Sequence, residues 1–312
     1  MSPESAINEV SVLDQNPHLD TSGILFNRIL VATDFSEPAN QALKAAIMIG
    51  RLFGSKLVLV HAATPVVFFG MDTGPMPLEV LDANLDAAKK RIDQLISHEP
   101  GLRELEPKAT VAYCGAIDLI EQVCRDEKID LIIAGSHGAS GLERLALGSV
   151  AEAILHRAKC PVMIVGPHCR TDYHPFRSIV FATDLRTTGL RGAQYASGLA
   201  ERFHANLTFL HVMNEEPAAP HVEIEVIEDR ITQQLRELLP PDVSRYCKAK
   251  VRLEKDRNVA KTIAVAANSE QATLIVVGFR DRGLSDRDPW SKLSHLIREA
   301  RCPVLGIRGH LV

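Results

Sequence analysis

The sequence lacks several features that would assign it to large classes of protein. No apolar run approaches the roughly 18 residues of a membrane-spanning helix, and Met1–Gly23 has neither the basic start nor the apolar core of a secretion signal. The six cysteines form no C-x-x-C pair and no zinc-binding spacing. A net charge of −4 gives no general attraction to nucleic acids or anionic membranes. We therefore expect a cytoplasmic protein with reduced cysteines and neither a nucleic-acid nor a membrane partner.

Motifs of several enzyme classes are also missing. The sequence contains no acidic cluster that could form a metal cage and no G-x-S-x-G nucleophile motif. It also contains no G-x-x-x-x-G-K-[ST] phosphate loop with its lysine. These absences favour a protein that binds a ligand over one that turns a substrate over rapidly.

An internal repeat determines the organisation of the 312 residues. Four segments recur in the same order: Ile29–Asp34 as Ile179–Asp184, Leu59–His61 as Phe209–His211, Asp130–Gly135 as Thr273–Gly278, and Ala158–Val162 as Ala300–Val304. The chain is therefore predicted to be a tandem duplication. We expect a flexible N-terminal tail over 1–25, a first half over 26–168 and a second half over 175–312, joined by the short polar segment 166–174.

Strand and helix patterns alternate within each half. In the first half the predicted strands are Arg28–Thr33, Lys56–Ala62, Lys108–Tyr113, Ile129–Ala134 and Pro161–Val165. The predicted helices are Ser36–Phe53, Leu78–His98, Ile117–Asp126 and Ser149–Ala158. This alternation predicts an α/β fold of two tandem Rossmann-like domains, each a five-stranded parallel sheet with helices on both faces. In such a sheet the ends of the first and fourth strands flank the ligand crevice.

A glycine-rich loop follows the fourth predicted strand. It begins with Gly135-Ser-His-Gly138, continues for nine residues, and ends at Gly148-Ser149, where a helical pattern starts. Glycines let the backbone approach a ligand closely, and a helix N-terminus attracts anions. Ser149 is suitably placed to cap the helix. A strand, this loop and a helix together predict phosphate binding.

The spacing Gly-x-x-Gly, nine residues, then Gly-Ser resembles the nucleotide-binding branch of the universal stress protein family. The resemblance covers about Arg28–Arg308 and implies the adenine nucleotide alpha hydrolase-like form of the fold, with ATP as ligand. It assigns base and ribose contacts to Ala32, Thr33, Asp34, Ala62, Ala134 and Gly135. It assigns phosphate contacts to Gly138, Gly148, Ser149 and Val150. It further implies a stress-response or signalling role that depends on the nucleotide-bound state.

Several alternatives stay open. Asp34 either contacts the nucleotide or caps the following helix, and His137 either donates to a phosphate or is solvated. Arg144 is either a phosphate partner or a surface residue, whereas His61 and His211 are predicted to make structural hydrogen bonds. A divalent cation, Mg²⁺ or Mn²⁺, can arrive with the phosphates and use Ser149 as a ligand. Alternative functions are an adenylating or ATP-hydrolysing enzyme of the same superfamily, and an interaction scaffold without nucleotide.

The resemblance also implies an assembly and a difference between the two halves. The fifth strands, Val162–Val165 and Val304–Ile307, are expected to pair the two halves, and a homodimer is expected. In the second half, Trp290 stands where the repeat places Gly148, and Asp281 stands where it places Gly138. We therefore expect ATP in the first half only.

Overall fold

A computed structural model describes residues 23–63, 78–138, 147–170, 174–185, 189–213, 221–279 and 289–309. The predicted tail, apart from Gly23 to Leu25, lies outside them, as does the apolar segment 64–77. Contacts divide the described residues into two compact units, one mainly between Leu25 and Val162 and the other from Met163 onward. No helix in the described ranges has the length and apolar character needed to cross a membrane.

The first half alternates strands and helices as predicted. Its strands are β1 (Arg28–Ala32), β2 (Lys56–Ala62), β3 (Lys108–Ala112), β4 (Leu131–Gly135) and β5 (Val162–Val165). Its helices are α1 (Glu37–Phe53), α2 (Leu78–His98), α3 (Pro100–Arg103), α4 (Ala116–Asp126) and α5 (Ser149–Arg157). The strands lie in the order β3-β2-β1-β4-β5, and the β1–β2, β2–β3 and β1–β4 pairs are parallel. The N–H of Ile132 donates to the Pro161 carbonyl at 3.0 Å, at the start of β5.

The second half repeats this architecture. Its strands are β6 (Ser178–Ala182), β7 (Asn206–Met213), β8 (Ala249–Lys255), β9 (Leu274–Phe279) and β10 (Val304–Arg308). Its helices are α6 (Gly189–Phe203), α7 (His221–Glu237), α8 (Val259–Ser269) and α9 (Pro289–Glu299), and a 3-10 turn covers Val243–Arg245. The order is β10-β9-β6-β7-β8, with parallel pairing throughout. The predicted fold class, two tandem Rossmann-like domains, is therefore confirmed.

The ends of helix α1 and its packing against β4 depend on three small residues. The Ser36 hydroxyl caps its start by accepting a hydrogen bond from the Ala39 N–H at 3.3 Å. Gly54 ends it in the left-handed conformation, with φ 68°. A Cβ added to Gly135 at the end of β4 would lie 2.7 Å from the Pro38 carbonyl, so this glycine allows α1 to sit directly against β4.

The start of β4 is held by a side chain that the strand pattern did not single out. Asp130, just before β4, accepts hydrogen bonds from the Asn27 N–H at 2.8 Å and the Arg28 N–H at 3.0 Å. In the second half Thr273 takes this position, and its hydroxyl accepts from the N–H groups of Arg177 and Ser178. The central strand pair of each half is therefore aligned by one polar side chain.

Candidate functional site

The carboxyl ends of β1 and β4 lie next to each other. The two strands pair in parallel, with Val31 opposite Ile133, so that Asp34 and the glycine loop leave the sheet at the same edge. A Cβ added to Gly138 would lie 2.5 Å from Oδ2 of Asp34. Residues about a hundred positions apart in the sequence therefore meet, at the edge where the strand order predicts the ligand crevice.

The turn that follows β1 is organised by its own side chains. The Thr33 hydroxyl accepts from the Phe35 N–H at 3.0 Å, and Oδ1 of Asp34 accepts from the Ser36 N–H at 3.0 Å. Phe35 has φ 64°, a left-handed conformation that is unusual for an aromatic residue. Asp34 thus shapes the turn, whereas the cap of α1 is Ser36. Asp34 is also exposed to solvent. Its role in the turn is therefore compatible with a contact to a ligand.

Phe35 is a residue that sequence reasoning missed. Its ring lies 4.6 Å from the His61 ring, centroid to centroid, and the Arg91 guanidinium of α2 lies 4.1 Å above its centroid. Nothing in the residue type signals this arrangement, because phenylalanine rarely adopts positive φ. The second half has the same feature, because Leu185, which follows Asp184, has φ 61°.

The two matching histidines make structural hydrogen bonds, as predicted. The Nδ1 atoms of His61 and His211 lie 2.8 Å from the carbonyl oxygens of Thr33 and Thr183. Each histidine therefore fastens the end of its strand to the neighbouring turn. Burial lowers the pKa of His211, although the Thr183 carbonyl acts in the opposite direction, so the ring is held neutral with its Nδ1–H donating.

The two ends of the glycine loop are in contact. The Gly148 N–H donates to the Ser136 carbonyl at 2.8 Å, and a Cβ on Gly148 would lie 3.0 Å from the His137 Cα. Ser136 is buried at 3 % exposure, and its Oγ lies 3.0 Å from Nδ1 of His137. Ser136 is a second residue that the sequence analysis missed, because it fills a variable position of the motif. Arg144 lies outside the described residues.

The N-terminus of helix α5 faces the same edge and begins at a glycine N-cap. Gly148 is its N-cap, with φ −64° and ψ 147°, and as a glycine it has no side chain that could cap the first turn. The expectation that Ser149 caps this helix is wrong. Ser149 is itself the first helical residue, and a capping hydroxyl must come from the extended residue before the helix. Ser149 and Val150 are exposed at this end.

The other predicted contact residues are less exposed to solvent. Ala32 and Ala62 end β1 and β2 and are half-buried. Ala134 and Thr33 are 4 % and 7 % exposed, so they can offer mainly backbone atoms to a ligand. Gly135 serves the packing of α1, as described above. Among the described residues, no group of three or more His, Cys, Asp or Glu side chains could hold a metal ion.

The second half shares the turn but differs at the loop helix. The Thr183 hydroxyl accepts from the Leu185 N–H at 3.0 Å, as in the first half. Helix α9 begins at Pro289, two positions before Ser291, the counterpart of Ser149. Trp290 is therefore inside the helix, whereas Gly148 is extended. The loop with Asp281 lies outside the described residues.

Comparison with known proteins agrees with this architecture. The universal stress protein MJ0531 of Methanocaldococcus jannaschii is 31% identical over 145 residues, covering 45% of this chain and 82% of the relative. The universal stress protein Rv2623 of Mycobacterium tuberculosis is 25% identical over 264 residues, covering 82% of this chain and 87% of the relative. A crystal structure of a universal stress protein from Archaeoglobus fulgidus covers 91% of this chain and 96% of its own, with a TM-score of 0.64 and 21% identity.

The sequence model of the Universal stress protein family matches the chain twice. The matches cover residues 25–166 and 175–308, which are the two halves of the repeat. Both matches span a complete set of five strands and their helices. The protein therefore belongs to the universal stress protein family, with two of the family's domains in tandem.

Proposed function

We propose that the first half binds ATP at the edge formed by β1, β4 and helix α5. The observation that carries the proposal is the convergence of Asp34, Gly138 and the glycine N-cap of α5. The geometry fits the ligand because side chains at Gly138 and Gly148 would fill the space between these elements. The motif spacing is that of the nucleotide-binding branch of the family.

The phosphates bind at the start of α5 in this proposal. A helix N-terminus carries N–H groups without intrahelical partners and a partial positive charge, which together attract anions. Ser149 and Val150 supply these N–H groups, Gly148 allows close approach because it has no side chain, and Gly138 and His137 border them from the end of β4. Because Gly148 is the N-cap, the capping residue itself places no side chain at this position.

The base and ribose bind toward β1 and β2. Asp34 is exposed, so its carboxylate can accept hydrogen bonds from ribose hydroxyls. The backbone of Ala32, Thr33, Ala134 and Gly135 and the small side chain of Ala62 border the base. A Mg²⁺ or Mn²⁺ ion would neutralise phosphate charge, with the Ser149 hydroxyl as a protein ligand. The protein then acts through its nucleotide-bound state, as a cytoplasmic stress-response or signalling component.

The second half is proposed not to bind ATP in the same way. The early start of α9 places the backbone of Trp290 in the helix, so the extended glycine N-cap of the first half has no counterpart. An indole at this point would also obstruct phosphate. The chain is therefore proposed to hold one nucleotide.

The expected result is one ATP per chain. We expect mass spectrometry to detect an adenine nucleotide released from protein purified without added ATP. Native mass spectrometry of the titrated protein should show one nucleotide per chain and, with the proposed homodimer, two per particle. Two nucleotides per chain would contradict the asymmetry, and absence of binding at millimolar ATP would contradict the function.

The fifth strands are proposed to pair the two halves of the chain. All four residues of β5 and all five of β10 are buried, and an apolar edge strand without a neighbour would invite aggregation. Pairing predicts slow amide exchange along Val162–Val165, as in a central strand. Exchange there as fast as in the edge strand β3 would contradict it.

A further inference from the structure

Two consecutive residues of the glycine loop, Ser136 and His137, interact through their side chains. Oγ of Ser136 lies 3.0 Å from Nδ1 of His137, which is hydrogen-bond distance. Ser136 is only 3 % exposed, whereas His137 is half-buried. The Ser136 carbonyl also accepts from the Gly148 N–H at 2.8 Å. The backbone of the pair is therefore tied to the start of helix α5.

The burial of Ser136 indicates which of the two side chains donates. A buried hydroxyl proton needs an acceptor, because an unpaired buried donor is unfavourable. Among the described residues, Nδ1 of His137 is the acceptor that this hydroxyl contacts. Nδ1 can accept only when it carries no proton, so the proton of a neutral His137 ring lies on Nε2.

The Nε2 atom of His137 is available to a ligand. No hydrogen bond joins it to another residue in the part of the chain that the structure describes. A Cβ added to Gly148 would lie 3.0 Å from the His137 Cα, and the next residue, Gly138, borders Asp34. His137 thus lies beside the start of α5, where the phosphates are proposed to bind. A protonated Nε2 is a donor, which is the group that a phosphate oxygen requires.

The second half lacks this pair of residues. The repeat places Phe279 and Arg280 where the first half has Ser136 and His137. Phenylalanine has no hydroxyl to donate, and the arginine side chain has no acceptor. A histidine tautomer fixed by a buried hydroxyl is therefore a property of the first half alone, like the proposed nucleotide.

We propose that Ser136 is a positioning residue that holds His137 as an Nε2–H donor to a nucleotide phosphate. The inference rests on the proposed ATP site and gives the two residues different roles. His137 contacts the phosphate, whereas Ser136 acts only through the His137 ring. Nucleotide affinity should therefore depend on the Ser136 hydroxyl as long as His137 is present.

The tautomer can be measured on the nucleotide-free protein. Long-range proton–nitrogen correlation spectra distinguish the two neutral forms of histidine, and His137→Gln identifies its signal among those of the 12 histidines. At about pH 9, where ordinary histidine side chains are neutral, we expect the Nε2–H form in the unmodified protein. Ser136→Ala should give a mixture that includes the Nδ1–H form. An Nδ1–H tautomer in the unmodified protein would overturn the proposal, whether or not ATP binds.

Isothermal titration with ATP and with adenosine tests the phosphate contact. His137→Ala should weaken ATP binding about tenfold, whereas His137→Gln should retain most of the affinity because its amide keeps a donor. Ser136→Ala should also weaken ATP binding, but it should add no further loss when His137 is already alanine. Adenosine has no phosphate, so its affinity should be the same for these variants and the unmodified protein.

A second buried serine provides the matched control. Ser55 is 4 % exposed, and its hydroxyl donates to the Phe26 carbonyl just before β2, at the opposite edge of the sheet. Ser55→Ala should leave ATP affinity unchanged. Equal losses from Ser136→Ala with and without His137, or equal losses for ATP and adenosine, would overturn the proposal. If the unmodified protein binds no ATP, the proposed function and the phosphate contact fail together, and the tautomer still decides whether Ser136 positions His137.

Discussion

Replacing Gly138 and Gly148 together by valine should reduce ATP affinity at least about 100-fold, which corresponds to about 2.7 kcal/mol. A side chain at Gly138 would begin 2.5 Å from Oδ2 of Asp34, and one at Gly148 would begin 3.0 Å from the His137 Cα. Valine at both positions therefore fills the space between β1, β4 and α5. Isothermal titration with ATP measures the loss.

A glycine at the start of another helix serves as the control. Gly115 is the N-cap of α4, also in extended conformation and without a side-chain cap. A Cβ there would meet only the end of the Asp118 side chain, at 2.9 Å, and β3 is separated from β1 by β2. Gly115→Val should leave ATP affinity unchanged within about twofold. If the double variant melts cooperatively and still binds ATP normally, the site is not at this loop.

Replacing Asp130 by alanine should lower the free energy of unfolding of the first half by about 2–4 kcal/mol. The carboxylate accepts two hydrogen bonds, from the N–H groups of Asn27 and Arg28. Hydrogen bonds to charged groups contribute about 1.5–3 kcal/mol each, and the two donors regain only part of this from water. Urea unfolding, followed by circular dichroism, measures the change.

The second half suggests the rescue variant for this position. Thr273 occupies the corresponding place and accepts from two consecutive N–H groups at 3.0 and 3.1 Å, so Asp130→Thr should recover much of the lost stability. Asp126→Ala, on the exposed end of α4, should change stability by no more than about 0.5 kcal/mol. Equal losses for Asp130→Ala and Asp130→Thr would show that strand alignment does not depend on these hydrogen bonds.

Much of the fold was predictable because the signals were local. Helix α2 has the predicted bounds Leu78–His98, and Ser36 and Gly54 end α1 as their residue types indicate. Strand β4 begins at Leu131, two residues later than predicted. The repeat then extended each local prediction to the second half.

The site was predictable only in part. The glycine spacing identified the loop, but residue type alone could not show that Gly135 serves the packing of Pro38. The same limit hid Phe35, whose left-handed conformation depends on the turn that Thr33 and Asp34 impose. Ser149 was wrongly predicted to cap α5. The helix boundary lies one residue earlier than a Ser149 cap requires, so that Gly148 is the N-cap.

The sequence by itself determined the duplication, the alternation of strands and helices, and the family motif, because periodicity and spacing are properties of neighbouring residues. Tertiary structure alone decided which distant groups meet. Asp130 lies about a hundred positions after Asn27, yet its carboxylate accepts a hydrogen bond from the Asn27 N–H. Asp34 and Gly138 become neighbours only when β1 pairs with β4. Such contacts depend on how elements pack, because the same local patterns are compatible with many arrangements of side chains around the sheet.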